Sequence, residues 1–201
     1  MISRLHFMLE MSSRSSSGQV EIADWRQGGE LRGHKVNVPE IVSRRIAGTN
    51  DYAWEEQDRT YRRPVEPDAL FSLRFAARPQ EQRVSHFCYE ADRGTMPMAD
   101  MLKKFRAYYH FIKRQQKHGQ AFGVHPIRAV LIETTTETRA RKLMELAEHP
   151  GVIGAGKRSA LFGSASLRCS RRRMTSATTS TSQCTCSVQI LFSIACGPCQ
   201  T

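Results

Sequence analysis

Apolar spacing along the chain is most regular between Pro67 and Gly119. Ala69 to Phe75 carries Leu70, Phe71, Leu73 and Phe75 and predicts a strand; Val84 to Ala91 predicts a second. Ala76 to Gln82, around Pro79, joins them as a loop, so the two form an antiparallel hairpin with a long connection. Loop residues follow from Arg93 to Pro97. Met98, Leu102, Phe105, Tyr109 and Ile112 then recur at spacings of four, three, four and three, which predicts one apolar stripe on a helix over 98–118, ended by Gly119. Lys103, Arg106, His110, Lys113 and Lys117 make a second, basic stripe on that helix.

The flanks are less regular. Residues 4–14 predict a short helix with Leu5, Met8 and Leu9 inward, broken by Ser15-Ser16-Ser17-Gly18. Val20, Ile22 and Trp25 suggest a strand over 19–25, and Gln27 to Glu30 a turn. Residues 30–64 are polar, with Pro39, Gly48 and Asn50, and assign to no element. Ile127 to Glu133 predicts a buried strand. Thr134 to Thr136 offer an N-cap to a helix over Glu137 to His149 with Leu143 and Leu146 inward, and Ser159 to Phe162 begins another strand. The expected fold is α/β: a small mixed β-sheet flanked by helices over residues 1–162.

Beyond that point the pattern fails. Residues 163–201 are dominated by Ser, Thr, Arg and Cys and hold no acid. This composition predicts a disordered tail, as a wrong reading frame or a degenerate end would produce. The tail changes how charge and cysteine are read. The 201 residues carry a formal +11, but six of thirty basic residues follow Glu148, the last acid, so the first 148 residues hold only +5. That mild basicity is compatible with a nucleic-acid partner without being diagnostic of one. Cys88 alone lies in the body; Cys169, Cys184, Cys186, Cys196 and Cys199 lie in the tail. Cys196-Gly197-Pro198-Cys199 has redox-dithiol spacing, but only two residues follow where a helix is needed. Cys184-x-Cys186 with Cys196-x-x-Cys199 supplies four thiolates for zinc, with little between them to pack. No secretory signal and no apolar run of about 20 residues is legible, so the body is expected to be cytoplasmic, with no membrane partner.

The candidate chemistry is carboxylate. Glu90 and Asp92 share one face of their strand, about 7 Å apart, and Asp68 opens the neighbouring one. If the three converge beside the basic helix, Asp68 and Glu90 can hold Mg²⁺ or Mn²⁺, ions that favour hard oxygen donors. Alternatively these acids cap turns or pair with Arg74, Arg83 or Arg93. Gly94 is expected at positive φ after the strand, with Thr95 closing the turn or touching phosphate. The basic stripe suits a DNA backbone or a solvated face, and Tyr108 and Phe111 suit base stacking or packing on the sheet. His86, His110, His118 and His125 have no metal-ligand spacing and are expected at or near the surface.

Pro67-Asp68 followed by Glu90-x-Asp92 resembles the PD-(D/E)xK nuclease pattern, with Asp92 where lysine normally stands. Glu90-Ala91-Asp92-Arg93-Gly94-Thr95, with Pro97, Lys104 and Tyr108 following, resembles the replication-relaxation family of bacterial plasmids and mobile elements. The resemblance covers approximately residues 5–162 and is most specific over 67–108. It implies a restriction-endonuclease-like core and a DNA-associated protein of plasmid replication or mobilisation, with other proteins of those processes as partners. It implies catalytic roles for Asp68, Glu90, Asp92 and Lys104, with Lys104 replacing the absent strand lysine. Arg93, Thr95, Lys103, Arg106, Tyr108 and Lys113 would then contact nucleic acid. The alternative is a catalytically inactive DNA-binding or protein-interaction module on the same fold.

Overall fold

Two sheets and five α-helices make up the computed structural model, which describes residues 1–50, 52–154 and 160–166. The larger sheet has five strands in the order β1 (Val20–Gln27), β4 (Ala69–Phe75), β5 (Val84–Asp92), β6 (Ile127–Thr134) and β7 (Phe162–Ser166). β1, β4 and β5 are antiparallel neighbours; β6 runs parallel to β5, and β7 parallel to β6. The mixed sheet flanked by helices follows the sequence expectation. Parallel neighbours need a crossover, and α2 (Met98–Tyr109) and α4 (Glu137–Ala147) provide them.

Strand alternation splits the core into two layers. Phe71, Phe87, Tyr89 and Leu131 face α1 (Ile2–Ser15), whose Leu5 and Leu9 are buried against them. Leu70, Cys88, Val130 and Ile132 face the opposite way, onto Phe105, Tyr108 and Phe111 and onto Leu143 of α4. Glu90 and Asp92 follow the parity of Cys88, so two acids at the end of a buried strand point into the α2 and α4 layer. α4 begins at Thr136, whose hydroxyl accepts the Arg139 N–H, as an N-cap should. The short α5 (Pro150–Ile153) packs beside α2.

Segment 30–64 is the main departure from the sequence reading. It forms a short 3₁₀ turn (Gly28–Leu31) and then a long antiparallel ribbon, β2 (Lys35–Arg45) paired with β3 (Tyr52–Pro64). Only Val36 and Val38 are deeply buried along β2. A ribbon with so few apolar positions carries almost no period-two signal, which is why its pattern was illegible.

The ribbon also changes α2. Arg106 and His110, expected on a solvent-facing basic stripe, are 1% and 4% exposed because the ribbon covers them. Arg106 donates to the Pro39 carbonyl, the Gly151 carbonyl and Glu56 Oε1, tying ribbon, helix and α5 together. Covered by the sheet on one side and by ribbon and α5 on the other, α2 buries Met101, Phe105, Ala107 and Tyr108, a wider face than the single expected stripe. It also ends early: His110–Arg114 form a π turn that buries His110, Phe111 and Ile112, and Gln116 takes φ 50°. Gly119 lies inside α3 (His118–Phe122), which ends instead at Gly123 in the left-handed conformation. The tail residues 167–201, with their five cysteines, and Ser159 lie outside the described residues.

Candidate active site

The first strong feature of the acid end of the sheet is the anchoring of Asp92. Register pairs Asp92 with Thr134 at the carboxyl ends of the parallel strands β5 and β6. Thr134 Oγ1 donates to Asp92 Oδ2 at 2.8 Å, and Arg139, in the first turn of α4, grips both carboxylate oxygens (Nε–Oδ2 2.5 Å, Nη2–Oδ1 3.0 Å). The Gly94 N–H adds a bond to Oδ1 at 3.1 Å. Gly94 has φ 81°, as expected, and a Cβ there would sit 3.3 Å from Thr135 Oγ1. Burial by itself would raise the Asp92 pKa, but the hydrogen bonds from Arg139, Thr134 and Gly94 together hold it below the ordinary value. Asp92 is therefore a firmly ionised anchor for the loop that follows β5.

Glu90 is a different kind of acid. It is 4% exposed, with Lys104 Nζ 2.5 Å from Oε2 and the Tyr108 hydroxyl donating to Oε1. Burial raises its pKa to about 7, against the opposing pull of Lys104 and Tyr108; the neighbouring Asp68 carboxylate pushes it further up. Near neutral pH this group sits close to the midpoint of its titration, which suits acid–base work or a cation-dependent change of state.

Asp68 stands just before β4. Its N–H donates to the Tyr89 carbonyl (3.0 Å), and its Oδ2 accepts the Ala91 N–H (2.8 Å), which locks it against the end of β5. Its other oxygen takes no hydrogen bond among the described residues. Asp68, Glu90, Asp92 and Lys104 line one open cleft of about 530 Å³, with Arg93 and Thr95 exposed on its rim and the start of α1 forming another wall. The cleft thus lies outside the carboxyl ends of parallel strands, where open α/β sheets commonly hold ligands.

Several expected participants are placed elsewhere. The three acids share the cleft but do not form a common ligand set: Asp92 is consumed by Arg139, and no group of three His, Cys, Asp or Glu side chains is arranged to hold a metal among the described residues. Tyr108 is 1% exposed and bound to Glu90, so it cannot stack on a base, and buried Arg106 cannot contact a phosphate. Lys103 is exposed and pairs with Asp100 at 3.3 Å. Lys113 is exposed on the π turn, about 13 Å farther along the helix axis than Lys104. His110 and His118 are buried rather than superficial, and His118 stacks on His125 near the amino end of β6. Arg139 and Thr134 escaped sequence reasoning. The signal for them was present: parallel strands bring the residue ending one strand beside the first turn of the helix that follows the next.

No family model matches the chain, and neither the curated proteins nor the solved structures yield a match.

Proposed function

We propose that this cleft is a divalent-metal-dependent phosphodiester site acting on DNA, in a protein of plasmid replication or mobilisation that resembles the replication-relaxation family. The observation that carries the reading is the Asp68, Glu90 and Lys104 arrangement: a buried carboxylate poised near neutrality, a second carboxylate beside it, and an ammonium group 2.5 Å from the first, in a cleft open to solvent. The positions of Asp68 before β4 and of Glu90-x-Asp92 closing β5 support the restriction-endonuclease-like reading of the core.

The donor set fits Mg²⁺ or Mn²⁺. Mg²⁺ commonly binds through one or two carboxylates, with water and substrate phosphate completing its shell, and Asp68 and Glu90 offer two. A bound ion would polarise the phosphodiester and acidify a water. The chain's own groups do the rest. Tyr108 fixes the orientation of Glu90. Lys104, paired with Glu90 on the wall of the cleft, would offer its ammonium group to a phosphate oxygen, the charge stabilisation that Asp92 cannot supply. Arg93 and Thr95 meet phosphates at the rim, on a loop held by the Asp92–Arg139 pair.

Nicking of supercoiled plasmid with Mg²⁺ or Mn²⁺ tests the proposal. Wild-type protein should nick, and Asp68→Ala, Glu90→Ala and Lys104→Ala should each lose at least about a hundredfold, the scale of removing one charge-stabilising group. Equal nicking by all four proteins, or none by the wild type, overturns it. One observation favours a second reading, a DNA-binding module without chemistry: both Glu90 oxygens are already satisfied inside the chain. That module would retard the plasmid on a gel without nicking it.

A further inference from the structure

A second groove lies on the other side of Lys104. It measures about 370 Å³ and is lined by Arg63 and Glu66, from the end of β3 and just beyond, and by Asp100, Lys103 and Lys104 of α2. It shares Lys104 and Met96 with the carboxylate cleft, so the two hollows lie on either side of these residues.

The charges in this groove are unevenly matched. Lys104 pairs with Glu90 and Lys103 with Asp100, while Glu66 accepts the Gly33 N–H at 3.1 Å. Among the described residues the Arg63 side chain has no carboxylate within 4 Å and no hydrogen bond, although its backbone is paired with Val36 in the ribbon. Its guanidinium carbon lies 5.1 Å from the Tyr61 ring centroid, and its Nε is shut away from solvent without an acceptor. A shielded, unpaired donor on a cation is costly, and native proteins resolve such groups with a partner. Tyr61 holds the guanidinium from one side, leaving the donor fork for an anion, and the planar fork of arginine matches phosphate oxygens in pairs.

We propose that this groove is a second phosphate subsite, in which Arg63 and Lys103 hold a backbone phosphate of the same nucleic-acid strand whose reacting phosphate lies beside Lys104. The inference rests on reading the carboxylate cleft as a phosphodiester site and adds the path of the strand: across Lys104 from the rim at Arg93 toward β3. It also gives the ribbon a role, because β3 delivers Arg63 to α2.

The test is binding of a short fluorescein-labelled single-stranded oligodeoxynucleotide across a salt series, with melting temperature in pyrophosphate as a second arm. Proteins compared are the wild type, Arg63→Gln, Arg63→Lys and Lys103→Ala; Lys103 is exposed, so its variant folds even if an Arg63 variant is impaired. Arg63→Gln should bind the oligonucleotide about tenfold more weakly and lower the slope of log affinity against log salt by about 0.7, the share of one phosphate contact on a single strand. Arg63→Lys should retain most of the slope, Lys103→Ala should lose a similar fraction, and pyrophosphate should stabilise the wild type more than Arg63→Gln. Wild-type affinity and slope in both Arg63→Gln and Lys103→Ala overturn the subsite and leave the DNA reading standing. Stabilisation by pyrophosphate that needs Arg63, without oligonucleotide binding, keeps the subsite and removes the DNA reading. No binding of either probe by the wild type removes both.

Discussion

Arg139 holds Asp92 through two nitrogens, Nε on Oδ2 and Nη2 on Oδ1, from a helix forty-seven positions later in the chain. This pair joins β5 to α4 at the cleft and sets the loop that carries Arg93 and Thr95. Asp92 is 7% exposed, and its partner's side chain is 18% exposed. Removing one member of such a pair leaves a shielded charge behind. Arg139→Ala should therefore cost roughly 3 kcal/mol in urea unfolding, and Asp92→Asn combined with Arg139→Gln should recover part of it. Because the Asp92 pKa is held low, its contribution is complete above the unfolded carboxylate value of about 3.9 and is lost as pH falls below that through its lower folded value.

Glu90 and His110 make opposite demands on pH. The Glu90 pKa is raised to about 7, so the folded state keeps a proton that the unfolded chain releases near 4.3. Stability from this group is full below that value and declines as pH rises through 7, by up to roughly 3 kcal/mol. Burial, with Arg106 beside it, lowers the His110 pKa to about 4, so its contribution is full above about 6.5 and is lost as pH falls toward 4. The two slopes offset each other in the wild type between these limits. Glu90→Gln should unmask the histidine slope: its melting temperature should fall on acidification from pH 7 to 4 more steeply than the wild type's.

Tyr108→Phe removes the hydroxyl donor from Glu90 Oε1 and should cost about 1–3 kcal/mol, the penalty of an unsatisfied buried acceptor. It should also raise the Glu90 pKa further, since the lost bond favours the ionised form. Mn²⁺ must meet an ionised carboxylate to bind. Stabilisation by Mn²⁺ should accordingly grow as pH passes 7 in the wild type, and the same rise should come at higher pH in Tyr108→Phe. Melting curves with and without the ion, over pH 6 to 9, measure both effects.

Arg106→Ala should free the ribbon from α2. Three acceptors, the Pro39 and Gly151 carbonyls and Glu56, lose their donor, at a cost of roughly 3 kcal/mol. Trypsin should then cut at Arg44, Arg45 or Arg59 faster in the variant than in the wild type, while β4 and β5 remain protected.

Most of the sheet was legible because its strands are buried. Ala69–Phe75 and Ile127–Thr134 are apolar runs whose ends match the observed strands within a residue. The ribbon was not, because its outer face and tip are polar and, along β2, only Val36 and Val38 reach the core. That one gap explains the misread helix: the exposure of Arg106 and His110 depends on what covers them, and the cover lay in the unassigned segment. In the cleft, Asp68 and Glu90 were visible as residue types at suitable spacing, and Lys104 was singled out only through the family resemblance. Asp92 was expected to converge with Asp68 and Glu90 in support of a metal, because local spacing says nothing about Arg139, whose approach depends on the parallel pairing of β5 with β6.

Gln27 and Ala69 are partners on adjacent strands, yet the whole β2–β3 ribbon is spelled out between them. The excursion leaves the sheet and returns at one point on its edge, so a tight turn joining those two residues would preserve the strand order. A chain shortened in that way would keep Asp68 where it stands and uncover the flank of α2. Arg106 and His110 would then stand in solvent beside Lys103 and Lys113, completing the polycationic stripe that the helix sequence advertises; an inserted segment is what turns the middle of that stripe into interior.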